Sequence, residues 1–167
     1  SDKAYGHAEP PYKEDTPFRP LYTYEATKAC QDFVAQNYYH NYNLPIKIVR
    51  CSNIYGPADP NWSRLIPNTI NRVLDNKSPE IYTSVMNYIR EWVYVDDVID
   101  AFDLVLHKGN NGEAYCIGGT QTASVAEVVN TILKLCNSKE SITLLERVIQ
   151  FKEIENQWID GTKIKTL

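Results

Sequence analysis

The sequence predicts an α/β fold in which short parallel strands alternate with helices. Residues 24–42 place apolar side chains at helical spacing. The β-branched run 46–51 and the short apolar run 114–117 are typical of strands. Ser124 and Glu127 have the spacing of a capping box that opens a further helix. This alternation favours parallel pairing, and in such sheets ligands bind beyond the carboxyl ends of the strands.

The first third of the chain is expected to hold a loop, a helix, a strand and a second loop. Four prolines between residues 7 and 22 exclude regular structure there. The helix 24–42 must end before Pro45, because proline cannot continue it. The strand 46–51 then runs into residues 52–57, which we interpret as a loop at its carboxyl end.

The remaining elements alternate in the same way. A second helix is expected to begin near Pro67, since proline is tolerated in a first turn. Asp96 and Asp97 favour a helix start, because carboxylates cap free amides and face the positive end of the helix dipole. The helix that opens at Ser124 should extend to about Cys136. Further strands are expected at 80–83, 91–94 and near 142–145, and a helical turn is expected from Asp160.

Charge and cysteine usage exclude several classes of function. The 167 residues carry 17 Lys and Arg against 21 Asp and Glu, a formal charge of −4 without a block of like charges. A nucleic-acid surface is therefore not expected. No stretch approaches the roughly 20 apolar residues that span a bilayer. The four cysteines form no C-x-x-C pair and the three histidines show no ligand spacing, so we predict reduced core thiols, no metal and a cytoplasmic protein.

Two side chains at helical spacing could supply redox chemistry. Tyr24 and Lys28 lie four residues apart and share a helix face. A lysine ammonium beside a phenol lowers the tyrosine pKa from ~10, so that the tyrosine can act as a general base on an alcohol. Taken alone, this spacing more often belongs to a packing tyrosine beside a solvated lysine.

Four other polar residues allow two interpretations each. Arg90 could hold a phosphate through its guanidinium or form a surface ion pair. Asn53 could bond a ligand or close an Asx-turn. Asp2 and Lys3 could be an acid and a base, or ordinary charges at a chain terminus.

Six motifs follow one another along the chain. They are Ser1-Asp-Lys-x-Tyr-Gly, Tyr24-x-x-x-Lys28, Arg50-Cys-Ser-Asn53-Ile-Tyr-Gly-Pro57, Leu65-Ile-Pro67, Arg90-Glu-Trp-Val-Tyr-Val-Asp-Asp97 and Glu153-Ile-Glu-Asn-Gln157-Trp-Ile-Asp160. Each is unspecific alone, but the ordered set extends over nearly the whole chain. In that order the motifs resemble the extended short-chain dehydrogenase/reductase family of nucleotide-sugar epimerases and dehydratases.

The resemblance implies the C-terminal part of a Rossmann-like doubly wound parallel sheet plus a small α/β substrate-binding lobe. Residues 1–59 would form the second half of the NAD-binding domain, with 90–118 returning to it. The sugar-nucleotide lobe would comprise 60–89 and 119–167. The resemblance also implies bound NAD, a nucleotide-sugar substrate and a homodimer. The glycine-rich loop of the family is absent from these 167 residues, so we expect this piece alone to hold NAD poorly and to be inactive.

Matched position by position, the resemblance assigns roles to five residues outside the Asp2-Lys3 pair. Tyr24 matches the redox base, and Lys28 matches its partner, which also bonds the nicotinamide ribose. Ser1 matches the hydroxyl that bonds the sugar O4. Asn53 and Arg90 match residues that contact the nucleotide diphosphate.

The two residues after Ser1 distinguish dehydratases from epimerases within the family. Asp2-Lys3 resembles the acid-then-base pair of sugar-nucleotide 4,6-dehydratases, nearest to the CDP-glucose 4,6-dehydratase-like enzymes. The resemblance implies oxidation at C4, removal of the C5 proton by Lys3, protonation of the departing C6 hydroxyl by Asp2 and return of hydride to C6. Two alternatives stay open: a nucleotide-sugar 4-epimerase, and a non-catalytic sugar-nucleotide-binding or assembly module. Met86 stands where the family usually has glycine, so a different substrate loop is expected.

Overall fold

The computed structural model describes residues 1–146 and 153–167, which form helices packed beside short sheets. The helices are α1 (Thr23–Tyr42), α2 (Leu65–Leu74), α3 (Val95–Lys108) and α4 (Val125–Leu135), with 3₁₀ turns at Asp2–Tyr5, Thr83–Val85 and Ile164–Thr166. The strands are β1 (Ile48–Cys51), β2 (Asn53–Tyr55), β3 (Glu80–Tyr82), β4 (Ile89–Tyr94), β5 (Ala114–Ile117), β6 (Thr122–Ser124), β7 (Thr143–Leu145) and β8 (Asn156–Gln157).

Most strands pair in parallel. β1 lies beside β5 with Ile48 opposite Ala114, β2 lies beside β4 with Asn53 opposite Trp92, and β3 lies beside β7. β4 also pairs in parallel with β8 and antiparallel with β6. The predicted α/β class with parallel strands is therefore confirmed. The division into domains stays a prediction, and residues 147–152 of the predicted lobe lie outside the described residues.

Three apolar clusters hold these elements together. One joins the first turn and the following loop to β5, the second packs α3 on β1, β4 and β5, and the third packs α2 on α4 above β3. The first cluster explains how a proline-rich loop becomes ordered without regular structure. Tyr5 and Tyr12 stack at 4.7 Å between ring centroids and are fully buried, and burial of that much apolar surface contributes about 1.5–3 kcal/mol per side chain.

Side-chain hydrogen bonds cap the N-terminal starts of two helices. Glu25 Oε2 accepts hydrogen bonds from the backbone N–H groups of Leu21 (2.8 Å) and Tyr22 (3.4 Å), so it satisfies free amides at the start of α1. The predicted capping box of α4 is present. Ser124 Oγ accepts from the Glu127 N–H at 3.2 Å, and Glu127 Oε2 accepts from the Ser124 N–H at 2.7 Å.

The structure differs from the sequence prediction at residues 52–57 and at the start of α3, among other element boundaries. The predicted loop at 52–57 contains β2, because the backbone of Asn53–Tyr55 pairs with β4 and this distant partner overrides the local turn signal. Asp96 and Asp97 do not cap α3. Its N-cap residue is Tyr94, and the two carboxylates lie in the first turn, where they still face the positive end of the helix dipole.

The prediction of four core thiols is wrong for two of them. Cys51 and Cys116 are buried, but Cys30 and Cys136 are exposed, and all four are free. Cys30 lies on the apolar stripe of α1, and much of this stripe is uncovered, so helical spacing of apolar residues did not mean burial there. Cys136 follows α4 as its C-cap residue.

The pair Gly118–Gly119 lets the end of β5 approach β4 closely. A Cβ atom at Gly118 would lie 2.5 Å from Glu91 Oε2, and one at Gly119 would lie still closer to the Trp92 carbonyl oxygen. Side-chain carbons do not come that near to other atoms, so only glycine fits here. This contact joins the β1–β5 sheet to the sheet built on β4.

Candidate active site

A cleft of about 1010 Å³ collects most of the predicted site residues. Its walls come from the first 3₁₀ turn, the start of α1, β2, the start of α2 and β4. Six of the seven predicted residues line it, namely Ser1, Asp2, Lys3, Tyr24, Asn53 and Arg90. Lys28 is not among the lining residues. The sequence motifs therefore meet in space, although they are spread over most of the chain.

Asp2 is a buried carboxyl group at the wall of this cleft. Its side chain is 3% exposed, and Oδ2 has no hydrogen-bond partner within the described residues. Burial raises the pKa of Asp2 to about 6, against the opposing charges of Lys3 and Arg90. A carboxyl group with this pKa is partly protonated near neutral pH, so it can donate a proton.

Lys3 follows Asp2 in the same 3₁₀ turn and is partly buried. Its Nζ donates a hydrogen bond of 2.7 Å to Oε1 of Gln157. Burial lowers the pKa of Lys3, and the neighbouring Asp2 charge opposes this shift. One turn thus carries an acid with a raised pKa and an amine with a lowered pKa.

Tyr24 and Lys28 share the first turns of α1, as the spacing predicts. Tyr24 is 59% exposed at the cleft. Lys28 Nζ lies 5.5 Å from the centre of the Tyr24 ring and donates to Gln31 Oε1 at 3.1 Å. The sequence predicts an ammonium beside the phenol oxygen, but here the amine lies over the ring face at cation–π distance. The reason is geometric, since a side chain four residues later on a helix points back over the preceding turn.

Asn53 and Arg90 line the cleft while bonded to the backbone. Asn53 Nδ2 donates to the Glu91 carbonyl at 2.9 Å. The Arg90 guanidinium donates to the carbonyl groups of Ile89 and Glu155, each at 2.9 Å, and to that of Ile154. These bonds fix both side chains in the cleft wall, and burial lowers the pKa of Arg90.

A buried ion pair holds the 3₁₀ turn Asp2–Tyr5 against the fold, and the sequence reasoning did not find it. Arg50 bonds both carboxylate oxygens of Asp32 at 2.8 and 2.9 Å, and it also donates to the hydroxyl of Tyr5 (2.9 Å) and to the Glu14 carbonyl (2.7 Å). It links β1, α1 and the turn that carries Asp2. Removing one partner of such a pair typically costs about 3–5 kcal/mol. The only local signal was a charged residue within an apolar strand.

Gln157 is a second buried residue to which the sequence alone assigned no role, since it was recognised only as part of the motif at 153–160. It is fully buried in β8, where it stands opposite Arg90 in the parallel pairing with β4. Its bond to Lys3 connects residues 154 positions apart. Spacing arguments cannot identify such a partner.

No group of three or more His, Cys, Asp or Glu side chains within 1–146 and 153–167 could hold a metal ion. Among the helices of this part of the chain, none combines the length and the apolar character needed to cross a membrane.

Comparison with known proteins identifies the family. The family model described as GDP-mannose 4,6 dehydratase matches residues 1–167. The low-salt glycan biosynthesis protein Agl12 of Haloferax volcanii is 34% identical, with all of this chain and 53% of that protein aligned. A solved dTDP-glucose 4,6-dehydratase from Bacillus anthracis, in complex with NAD, superimposes with a TM-score of 0.89 at 34% identity over 99% of this chain and 52% of that chain.

A solved epimerase resembles this chain in fold as closely as the solved dehydratase does. UDP-glucuronic acid 4-epimerase from Bacillus cereus, in complex with UDP-glucuronic acid and NAD, gives a TM-score of 0.88 at 27% identity, over 99% of this chain and 52% of that chain. The chain spans about half or less of the length of the curated relatives it matches. The two solved relatives named here carry dTDP and UDP in their names, so the CDP-glucose branch stays a prediction. Because the family model matches it from residue 1 to residue 167, the chain belongs to the GDP-mannose 4,6-dehydratase family of NAD-dependent sugar-nucleotide epimerases and dehydratases.

Proposed function

We propose that this chain supplies the acid, the bases and part of the substrate site of a sugar-nucleotide 4,6-dehydratase. The observation that carries the proposal is the Asp2-Lys3 pair, in which burial moves the two pKa values towards each other within one turn of a cleft. Titratable groups in a cleft whose pKa values are shifted by burial are typical of functional sites. Neither an acid nor a base is needed by a module that only binds the sugar nucleotide.

The redox half of the site uses Tyr24, Lys28 and Ser1. These residues fit NAD, because the exposed phenol of Tyr24 lines the open cleft and the Lys28 amine lies 5.5 Å from the centre of the Tyr24 ring. The two solved relatives described above contain NAD. When bound, NAD supplies the hydride acceptor for C4 and the hydride donor for C6. Lys28 would hold its ribose, Tyr24 would take the proton of the sugar O4, and Ser1 would hydrogen-bond that oxygen.

The elimination half uses Asp2 and Lys3. Once C4 is a ketone, the hydrogen on C5 is acidic, and the neutral amine of Lys3 takes it as a proton. The electron pair of the C5–H bond forms the C5–C6 double bond, and the C6 hydroxyl leaves with the proton of Asp2 as water. The ammonium of Lys3 then returns its proton to C5. Tyr24 and Asp2 regain their starting states by proton exchange with solvent.

The nucleotide part of the substrate would lie against Asn53 and Arg90. Arg90 places a positive charge in the cleft wall, and its carbonyl bonds hold that charge in a fixed position. A diphosphate beside this charge would gain a charge-assisted hydrogen bond of about 1.5–3 kcal/mol. We therefore place the diphosphate near β4 and the sugar near the first turn.

Asp2 and Tyr24 distinguish the proposed dehydratase from two alternative functions. A 4-epimerase would use Tyr24 but would have no step for a buried acid at Asp2, although an epimerase is among the similar solved structures. A non-catalytic module would be favoured by a Tyr24 hydroxyl buried in a hydrogen-bonded core. Tyr24 is instead 59% exposed at the cleft, which favours an enzyme.

Incubation of the full-length protein, supplied with NAD, with a panel of nucleotide hexoses tests this proposal. With dTDP-, UDP-, CDP- or GDP-hexoses we expect one product that has lost one water and carries a 4-keto-6-deoxy sugar, detected by mass spectrometry and NMR. A C4 epimer of unchanged mass would establish the epimerase instead. Tight binding of a nucleotide hexose without turnover would establish the binding module.

We further propose a homodimer that covers the exposed stripe of α1. Phe33, Val34 and Tyr38 are 57%, 54% and 47% exposed, which is unusual for apolar side chains that follow one another on a helix face. Sedimentation at micromolar concentration is expected to give the mass of a dimer, and Val34→Lys is expected to give a monomer, because a buried unpaired charge destabilises an interface. A monomeric wild-type protein would contradict this proposal.

A further inference from the structure

Gln157 makes a buried contact with Lys3 that the mechanism above does not use. Its side chain has no exposed surface, and its Oε1 accepts the hydrogen bond from Lys3 Nζ at 2.7 Å. Gln157 Nε2 has no partner among the residues that the structure describes. A buried amide with one unsatisfied end costs about 1–3 kcal/mol, so a side chain of this kind needs a reason other than stability.

The position of Gln157 is fixed from both sides. β8 pairs in parallel with β4, and this places Gln157 opposite Arg90, which itself bonds the backbone of the segment just before β8. The Tyr12 N–H donates to the Trp158 carbonyl at 2.9 Å, directly after Gln157. The amide oxygen is therefore held on a rigid strand while Lys3 lies on the turn that lines the cleft.

The charges that surround Lys3 come from four elements. Its own turn contributes Asp2, α1 contributes Glu25, β4 contributes Arg90, and the segment before β8 contributes Glu153. The three carboxylates favour the ammonium form, whereas Arg90 and burial favour the neutral amine. The net effect is a lowered pKa of Lys3, and a further negative charge beside its amine would oppose that lowering.

We propose that Gln157 is the positioning residue of Lys3 and that it holds the amine at the cleft without fixing its charge. The proposal rests on the proposed function only for the role of Lys3 as base. An amide oxygen accepts a hydrogen bond from –NH₂ as well as from –NH₃⁺, and because it carries no net charge it favours the ammonium less than a carboxylate would. A carboxylate in this place would hold the ammonium, and an apolar side chain would leave the amine free to rotate away from the substrate.

Two nearly isosteric substitutions separate these effects. Gln157→Glu keeps the acceptor and adds a charge, so it is expected to raise the pKa of Lys3 by about 1–3 units. Gln157→Met removes the acceptor and keeps the length of the side chain. Gln121→Glu makes the same chemical change at an exposed position and is the matched control, for which no shift at Lys3 is expected.

The pKa of Lys3 can be measured without catalysis. Competitive acetylation over a pH series, read by mass spectrometry of the peptide that contains Lys3, gives the titration of this one amine. The wild type and Gln121→Glu are expected to titrate together, and Gln157→Glu is expected to titrate at higher pH. Because this measurement needs neither substrate nor turnover, it stands even if the protein proves to be an epimerase.

In steady-state kinetics, a substitution of Gln157 is expected to change kcat but not KM. If the protein is a dehydratase, Gln157→Met is expected to lower kcat by about 10-fold or more with little change in KM, as for a residue that acts on the reacting step. In the pH profile of kcat, Gln157→Glu is expected to shift the limb that reports the deprotonation of Lys3 to higher pH. Unchanged Lys3 titration in folded Gln157→Glu would overturn the proposal. Loss of folding in both Gln157 variants would also overturn it, because Gln157 would then be a core residue rather than one that acts through Lys3.

Discussion

Tyr24→Phe in the full-length protein is expected to lower turnover of nucleotide sugar by at least about 10²-fold, the usual contribution of a general base. The substitution removes one oxygen atom and keeps the ring that borders the cleft. No hydrogen bond of the Tyr24 hydroxyl occurs within the described residues, so its loss should not weaken the fold. Substrate affinity is expected to change little, because the ring and the remaining cleft wall are kept.

Steady-state kinetics with substrate binding measured separately by calorimetry would check this expectation. Tyr42→Phe is the matched control, since Tyr42 lies at the far end of the same helix and is 65% exposed. We expect it to retain wild-type turnover. Turnover of Tyr24→Phe within a few-fold of wild type would remove Tyr24 from the base role.

Elements with strong local signals could be predicted from the sequence. The expected helix 24–42 is observed at Thr23–Tyr42, and the expected strand 114–117 is observed at those residues. The capping box at Ser124 marks the start of α4 as predicted. In each case neighbours within about four residues decide the structure, through helical periodicity, proline or a side-chain cap.

Features that depend on distant partners could not be predicted. β2 exists because Asn53–Tyr55 pairs with β4, although its Asn, Gly and Pro neighbours are typical of a loop. The exposure of Cys30 depends on what covers α1, and apolar spacing does not report this. The order of the motifs could place most site residues in one cleft, but it could not place the Lys28 amine over the Tyr24 ring.

Asp2→Asn is expected to separate the two halves of the reaction. Asparagine has the size of aspartic acid but cannot donate a proton to the C6 hydroxyl, while Tyr24 and Lys28 remain intact. Oxidation at C4 should therefore proceed and water loss should become slow, by about 10²–10⁴-fold for a lost general acid. In a single turnover the absorbance of reduced NAD should rise and persist, whereas it should be transient in the wild type. Equal slowing of both steps would contradict the assignment of Asp2.

The same substitution carries a second signature in the pH dependence of stability. The folded pKa of Asp2 is about 6, above the ordinary value of 3.8, so the folded state binds this proton more tightly than the unfolded state. The resulting stability is fully present below pH 4 and is lost as the pH rises through 6, by up to about 3 kcal/mol from a shift of this size.

Urea unfolding of wild type and Asp2→Asn over this pH range measures that contribution. The wild type is expected to lose stability between about pH 4 and 6 relative to the variant, because the variant has no carboxylate to bury. Asp15→Asn is the control, since Asp15 is exposed, and it should follow the wild-type curve. Parallel curves for wild type and Asp2→Asn would mean that Asp2 is solvated in solution. The kinetic role proposed for it, which depends on a buried proton, would then fail together with the stability prediction.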